Sequence, residues 1–308
     1  MREAGHSNEL LTVWGADAIN GTVASIARPR VPAAATSDRM INYTDSITRL
    51  MHDLISRVPD LQYIDMARVL VFARFGRSEA EGAYATCHAL SLPSSEPSYY
   101  FWRDRRTGRM TRRSEWFVTK SPLVEVGRAR MDYLISFCLP RFCDQTLARA
   151  QKEHTYPGQP AWVAKLDTIV HELYHVDPSM QGIRKLPLGN GRTSTRTHSP
   201  QFFRDVTRMV KQYLATRPDR AITEFLEYDF AGLTERYGRV TGAAFRHFPS
   251  FPQRYVEALD HPVDAAPGVR VEPVKRPAVP THYTAADLAV REFSKKTSRR
   301  VRHDRTAA

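Results

Sequence analysis

The sequence predicts an α+β fold: a mostly antiparallel sheet of about five strands packed on a helix carrying His171-Glu172-Leu173-Tyr174-His175, and on flanking helices. Three observations carry this. Apolar residues recur at helical spacing over 45–58, 160–176 and 199–216. Segments rich in β-branched and aromatic residues occupy the stretch from 64 to 142. The turns between most of those segments are short, which favours antiparallel neighbours.

In chain order, residues 1–43 show weak periodicity and contain Pro32-Ala33-Ala34-Ala35, so they read as a poorly ordered extension. Residues 44–228 read as one domain. It opens with a helix at 45–58, where Ile47, Leu50, Met51, Leu54, Ile55 and Val58 form a stripe and Pro59 ends it. Extended segments follow at 64–75 and 82–92. Segments 98–106 and 109–119 flank Thr107-Gly108, a hairpin signal. Over 129–142, Tyr133, Ile135, Phe137 and Leu139 alternate onto one face. A polar loop at 144–159 leads to a helix beginning near Pro160, with Leu166, Ile169, Val170, Leu173 and Val176 as its apolar side. Asp177-Pro178 stops that helix, and Gly182, Pro187, Gly189 and Gly191 mark a long loop. Ser199 and Pro200 suit the N-cap and first position of the next helix, which buries Phe202, Phe203, Val206, Met209, Val210, Tyr213 and Leu214. A short helix runs from Pro218-Asp219 to about residue 227. Residues 229–262 are expected to pack on the domain, and 263–308 to form a disordered, Pro-rich and then basic tail.

The chain has 308 residues, enough for one large domain with extensions. Its net charge of +12 favours acidic partners, nucleic acid included, or reflects arginines on a solvated surface. Cys87, Cys138 and Cys143 are odd in number and lack a CxxC spacing, which excludes a disulfide framework and a cysteine zinc ribbon. Buried free thiols in a reducing compartment are the expectation. The first residues lack a signal-type apolar run, and no stretch approaches ~18 consecutive apolar residues. A soluble, cytoplasmic protein with no membrane span is expected.

The chemistry concentrates in His171–His175. Two histidines four apart on a helix project from one face, and their nitrogens can reach one zinc ion. Glu172 lies beside them and can act on a water without ligating the metal, as a general base must. The apolar stripe lies on the other side of this helix, so the polar face is free to line a cleft. A catalytic zinc needs a third protein ligand and an open position. His198 is the best candidate, because it directly precedes a rigid helix start. Asp177, Glu224 and Glu227 compete for that role, and His154 reads as a loop residue. His88 reads as a half-buried strand histidine.

HELYH, a loop, and then His198-Ser199-Pro200-Gln201-Phe202 together resemble the SprT/Spartan-like zincins, whose third ligand opens an HxPxF-type motif. The chain is also similar to a phage metallopeptidase family, through strand segments such as AYATCHAL and MDYLISFCLPRF ahead of HELYH and a Gly/Arg-rich loop after it. The resemblance spans roughly residues 60–215. It implies a zincin-like fold, with His171, His175 and His198 holding Zn2+ and Glu172 as base. Two departures stand out: the loop before His198 is longer than in typical SprT-like proteins, and the cysteine zinc ribbon that often follows is missing. Spartan's DNA-repair role is therefore not carried over.

The expected function is a zinc-dependent metallopeptidase acting on protein or peptide substrates. Arg184, Arg192, Arg196 and Tyr174 are candidates for stabilising the developing oxyanion. The alternative is a nucleic-acid-binding protein with a structural or vestigial zinc site. Basic residues interleave with aromatics in the hairpin at 99–118, and a basic run occupies 295–302; either could contact nucleic acid. The plainer readings are an edge hairpin guarded by charge and a solvated tail. An intact Glu172 argues for the enzyme, since a purely structural zinc site has no use for a base.

Overall fold

A computed structural model describes residues 39–91, 110–187, 197–246 and 282–295, with the short strands at 99–103, 255–258 and 270–271. Contacts divide the chain after Ser37, and all described residues lie in the second unit. The elements are β1 (Met40–Asn42), α1 (Tyr43–Arg57), β2 (Val69–Gly76), β3 (Ala85–Ala89), β4 (Tyr99–Arg103), β5 (Met110–Lys120), β6 (Leu123–Val126), β7 (Ala129–Arg130) and β8 (Tyr133–Pro140). They continue with α2 (Val163–Tyr174), α3 (Pro200–Ala215), α4 (Arg220–Thr223), α5 (Phe230–Tyr237), β9 (Arg239–Phe245), β10 (Tyr255–Ala258), β11 (Arg270–Val271), β12 (His282–Tyr283) and β13 (Leu288–Phe293). The fold class is α+β, as the patterning predicts.

The helices follow their local signals. Asn42 caps α1 by accepting from the Asp45 N–H, and the helix closes at Val58 ahead of Pro59. Ile47, Leu50, Met51 and Leu54 are fully buried. Ser199 caps α3, its hydroxyl accepting from the Phe202 N–H at 3.2 Å, with Pro200 in the first position. Along α2 the stripe Leu166, Ile169, Val170 and Leu173 is buried completely. Lys165, on the same helix, is buried too, and its ammonium donates to the carbonyls of Leu226 (2.8 Å) and Tyr228 (2.6 Å), fastening the turn before α5.

The strands depart from the expected single sheet of about five. Among the described residues they divide into four mixed sheets: β2-β8-β3, β1-β9-β13, β12-β6-β7, and β5 with β4, β10 and β11. The sheet that positions the helices is β2-β8-β3. In it β8 lies between two strands that precede it, parallel to β2 (Val69 opposite Tyr133) and antiparallel to β3 (Ala85 opposite Phe137). Apolar clusters cover both faces of this sheet, which explains why every residue of β8 is buried, where alternation alone predicted one buried face. β4 and β5 do pair antiparallel, as Thr107-Gly108 signals. Local breaks shorten the other segments. Asp65 caps a 3-10 turn at Met66–Arg68, so β2 begins only at Val69. Ala129–Arg130 pair with β6 instead of extending β8.

The domain limits also differ from those expected. Met40–Asn42 pair in parallel with β9, so ordered structure starts before residue 44. Residues 229–262 contribute α5 and β9, which are integral elements. Within 263–308, which was expected to be a disordered tail, β12 pairs with β6, and β13 runs antiparallel to β9 from Leu288–Phe245 to Phe293–Val240. No helical or strand periodicity marks this stretch; its order comes from pairing with strands far away in sequence. Among the described residues no helix is long and apolar enough to cross a membrane. Cys138 and Cys143 are buried free thiols and Cys87 is half-buried.

Candidate metal centre

Helix α2 delivers His171 from its last turn and His175 from its C-cap. The helix ends there because Val176 leaves it to bridge to Ile183, while Arg184 N–H bonds the His175 carbonyl at 2.9 Å. His198 sits immediately before the Ser199 cap of α3, and α3 packs on α2. The three imidazoles converge. The Nε2 atoms of His171, His175 and His198 form a triangle with all three sides 3.0 Å. Among the described residues this is the one group of three or more potential ligands close enough to share a metal ion.

That triangle is poorly explained as a hydrogen-bond network. A neutral imidazole Nε2 carries either a proton or a lone pair, so it cannot both donate and accept. At most two of the three sides can then be hydrogen bonds, leaving at least one repulsive. A cation at the convergence point resolves all three contacts at once. Nitrogens bound to zinc at ~2.0–2.1 Å in a tetrahedron lie about 3.3 Å apart, close to the spacing found. Burial and the neighbouring histidines hold His171 and His175 far below the usual imidazole range, to about 2 and about 3, and burial also lowers His198. All three shifts favour the neutral imidazole, the form that binds a metal ion. The donor set fits a metal ion of zinc's type. One second contact is missing: the buried Nδ1 of His175 has no protein partner.

Burial is graded across the group. His175 is 7% exposed, His171 is half-buried and His198 is exposed, so the triad is rooted in the core and open on one side. Phe202, fully buried, stacks on His175 with ring centroids 4.8 Å apart and planes 27° apart. Phe203 lies nearly parallel to His198, at 5.8 Å and 20°.

Glu172 is 5% exposed and does not belong to the converging nitrogens. It lies toward β3, near the Cys87 backbone N–H. Burial pushes its carboxyl up to about 8, against the opposing pull of that N–H, Lys152 and Arg74.

The competing third ligands are engaged elsewhere. Asp177 accepts from the Ser179 N–H and hydroxyl, Glu224 pairs with Arg236, and Glu227 pairs with Arg220. His154 is exposed on its loop, and His88 shares a hydrogen bond with the Thr86 hydroxyl. The Tyr174 hydroxyl donates to Asp205 at 3.0 Å, toward α3. The Arg184 guanidinium lies over the rings of Tyr174 (4.2 Å) and Tyr63 (5.2 Å). Arg192, Arg196 and the run 296–302 lie outside the described residues, as do the side chains of the 99–118 hairpin. Lys295 pairs with Asp144.

Sequence reasoning missed two neighbours of the site. Lys152 pairs with Asp167, one helical turn before His171, and nothing in the polar loop 144–159 singles it out. Phe203 was expected to be buried, yet it is 47% exposed. Comparison with known proteins finds no family model, no curated protein and no solved structure that matches this chain.

Proposed function

We propose that the chain is a zinc-dependent metallopeptidase of the zincin type, with His171, His175 and His198 as metal ligands and Glu172 as general base. The observation that carries this reading is the 3.0 Å triangle of Nε2 atoms with a buried, non-ligating carboxylate next to it in sequence. A structural site has no need of that carboxylate. The resemblance of HELYH and His198-Ser199-Pro200-Gln201-Phe202 to SprT-like zincins points the same way.

When bound, zinc supplies Lewis acidity, lowering the pKa of a water and polarising a carbonyl. Glu172 takes the proton of the attacking water and returns it to the leaving amine. The backbone of β3 favours a peptide as substrate. Tyr84 and Leu90 bond β8 through their backbones, so by alternation Ala85, Cys87 and Ala89 direct theirs away from it. Among the described residues no strand pairs with that edge, and an extended peptide can align there.

The test compares the parent with Glu172→Gln on an unstructured protein substrate such as casein, with zinc measured on both. Both should hold one zinc, and the variant should lose hydrolysis by at least about a hundredfold. Equal rates in the two proteins, or a zinc-loaded parent that cleaves nothing, would sink the peptidase reading.

A further inference from the structure

We propose that Phe203 forms an apolar subsite beside the histidine triad, which takes an aliphatic or aromatic side chain of a ligand held at the metal. This deepens the peptidase reading and rests on it for the substrate class: peptides with an apolar residue next to the bond attacked.

Phe202 and Phe203 are adjacent in sequence and opposite in environment. Phe202 is fully buried and stacks on His175, so packing accounts for it. Phe203 is 47% exposed on a helix whose other exposed residues, between Pro200 at its start and Ala215 at its end, are polar. Gln201, Arg204 and Arg208 on that surface all have hydrogen-bond partners: Gln201 with Asp205, Arg204 with Gln201, Arg208 with Asp60. A single exposed apolar residue is ordinary on a protein surface. This one lies against the ligands, its ring centroid 5.8 Å from that of His198 and 6.0 Å from that of His171. Contact with His198 restrains one side of the ring and leaves the rest toward water. A ring so held offers apolar area next to the exposed His198 with little ordering left to lose on binding.

The probes are two hydroxamates that share one metal-chelating group, acetohydroxamate and phenylalanine hydroxamate, titrated calorimetrically into the zinc-loaded full chain. The parent should bind the phenyl-bearing probe about tenfold more tightly, the size of effect that partial burial of a ring provides. Phe203→Ala should remove that preference while acetohydroxamate affinity and zinc content stay as in the parent. Phe203→Leu should keep part of it. Loss of zinc or equal weakening of both probes in Phe203→Ala would overturn the subsite and make Phe203 a support for His198. So would an unchanged preference, or a zinc-loaded parent that binds neither probe. A parent that prefers the phenyl probe yet hydrolyses no protein would leave the subsite standing and remove the peptidase reading alone.

Discussion

The two faces of the β2-β8-β3 sheet meet different neighbours. On one face Val71, Ala73, Ile135, Phe137 and Leu139 join the large core with α1, α2 and α3. On the other, Phe72 and Leu134 join a smaller cluster with Val124, Met131, Phe245 and Tyr283, contributed by β6, β9 and β12 and the turn before β8. Phe72 meets Phe245 edge-on at 5.1 Å, and Phe245 meets Tyr283 in the same way at 5.7 Å. Beside them Arg74 donates to Ser136, whose hydroxyl is 2.7 Å from that of Thr86. The helical face holds the triad. The opposite face holds strands from the C-terminal third of the chain against the sheet's back. The difference teaches a division of labour: the three converging histidines are carried by α2 and by the start of α3, both anchored in the larger core, and the smaller core supports the sheet from behind without reaching them.

The largest expected effect is on the helical face. His171→Ala or His175→Ala should weaken zinc binding about a thousandfold, or ~4 kcal/mol, one ligand's share of a typical zinc binding free energy. Circular dichroism should show the fold retained. On the opposite face, Phe245→Ala removes a ring at the centre of the smaller cluster and should cost about 3 kcal/mol in stability, read by denaturant unfolding. Its zinc affinity should match the parent's when measured well below the unfolding midpoint. A zinc defect in folded Phe245→Ala would break the division between faces.

A smaller effect should sharpen it. Ser199→Ala removes the cap that positions His198 and should cost about 1 kcal/mol of stability. Because His198 is the next residue, this variant should also bind zinc several-fold more weakly. A thermal melt and a chelator competition check the two effects separately. If Ser199→Ala destabilises without touching zinc affinity, the helix start is not what orients the third ligand.

The same division governs how much was legible in the sequence. The α1 stripe, the Ser199-Pro200 start of α3 and the one-face placement of His171 and His175 are local, set by spacing within a few residues. His198 was legible because a helix cap adjoins it, although nothing in the loop before it fixed its approach to His171. The pairing of β2 with β8 joins Val69 to Tyr133 across the intervening β3, β4, β5, β6 and β7, and no local pattern encodes it. The β9–β13 pair is harder still, since Arg291 and Glu292 lie within β13 and obscure any alternation. Phe203 was misjudged because an amphipathic stripe assigns a borderline aromatic to the buried side, whereas here that residue lies against the imidazoles of His171 and His198. The carboxylates Asp177, Glu224 and Glu227 could be separated from His198 only once their own partners were visible.

The most direct measurement is zinc X-ray absorption on the metal-loaded chain, with His198→Ala beside it. The expected spectrum shows three imidazole nitrogens at ~2.0–2.1 Å and a remaining light ligand in the parent, with two imidazoles in the variant. A parent site with two imidazoles and a protein carboxylate, a spectrum unchanged by His198→Ala, or a chain that retains no zinc would contradict the three-histidine centre.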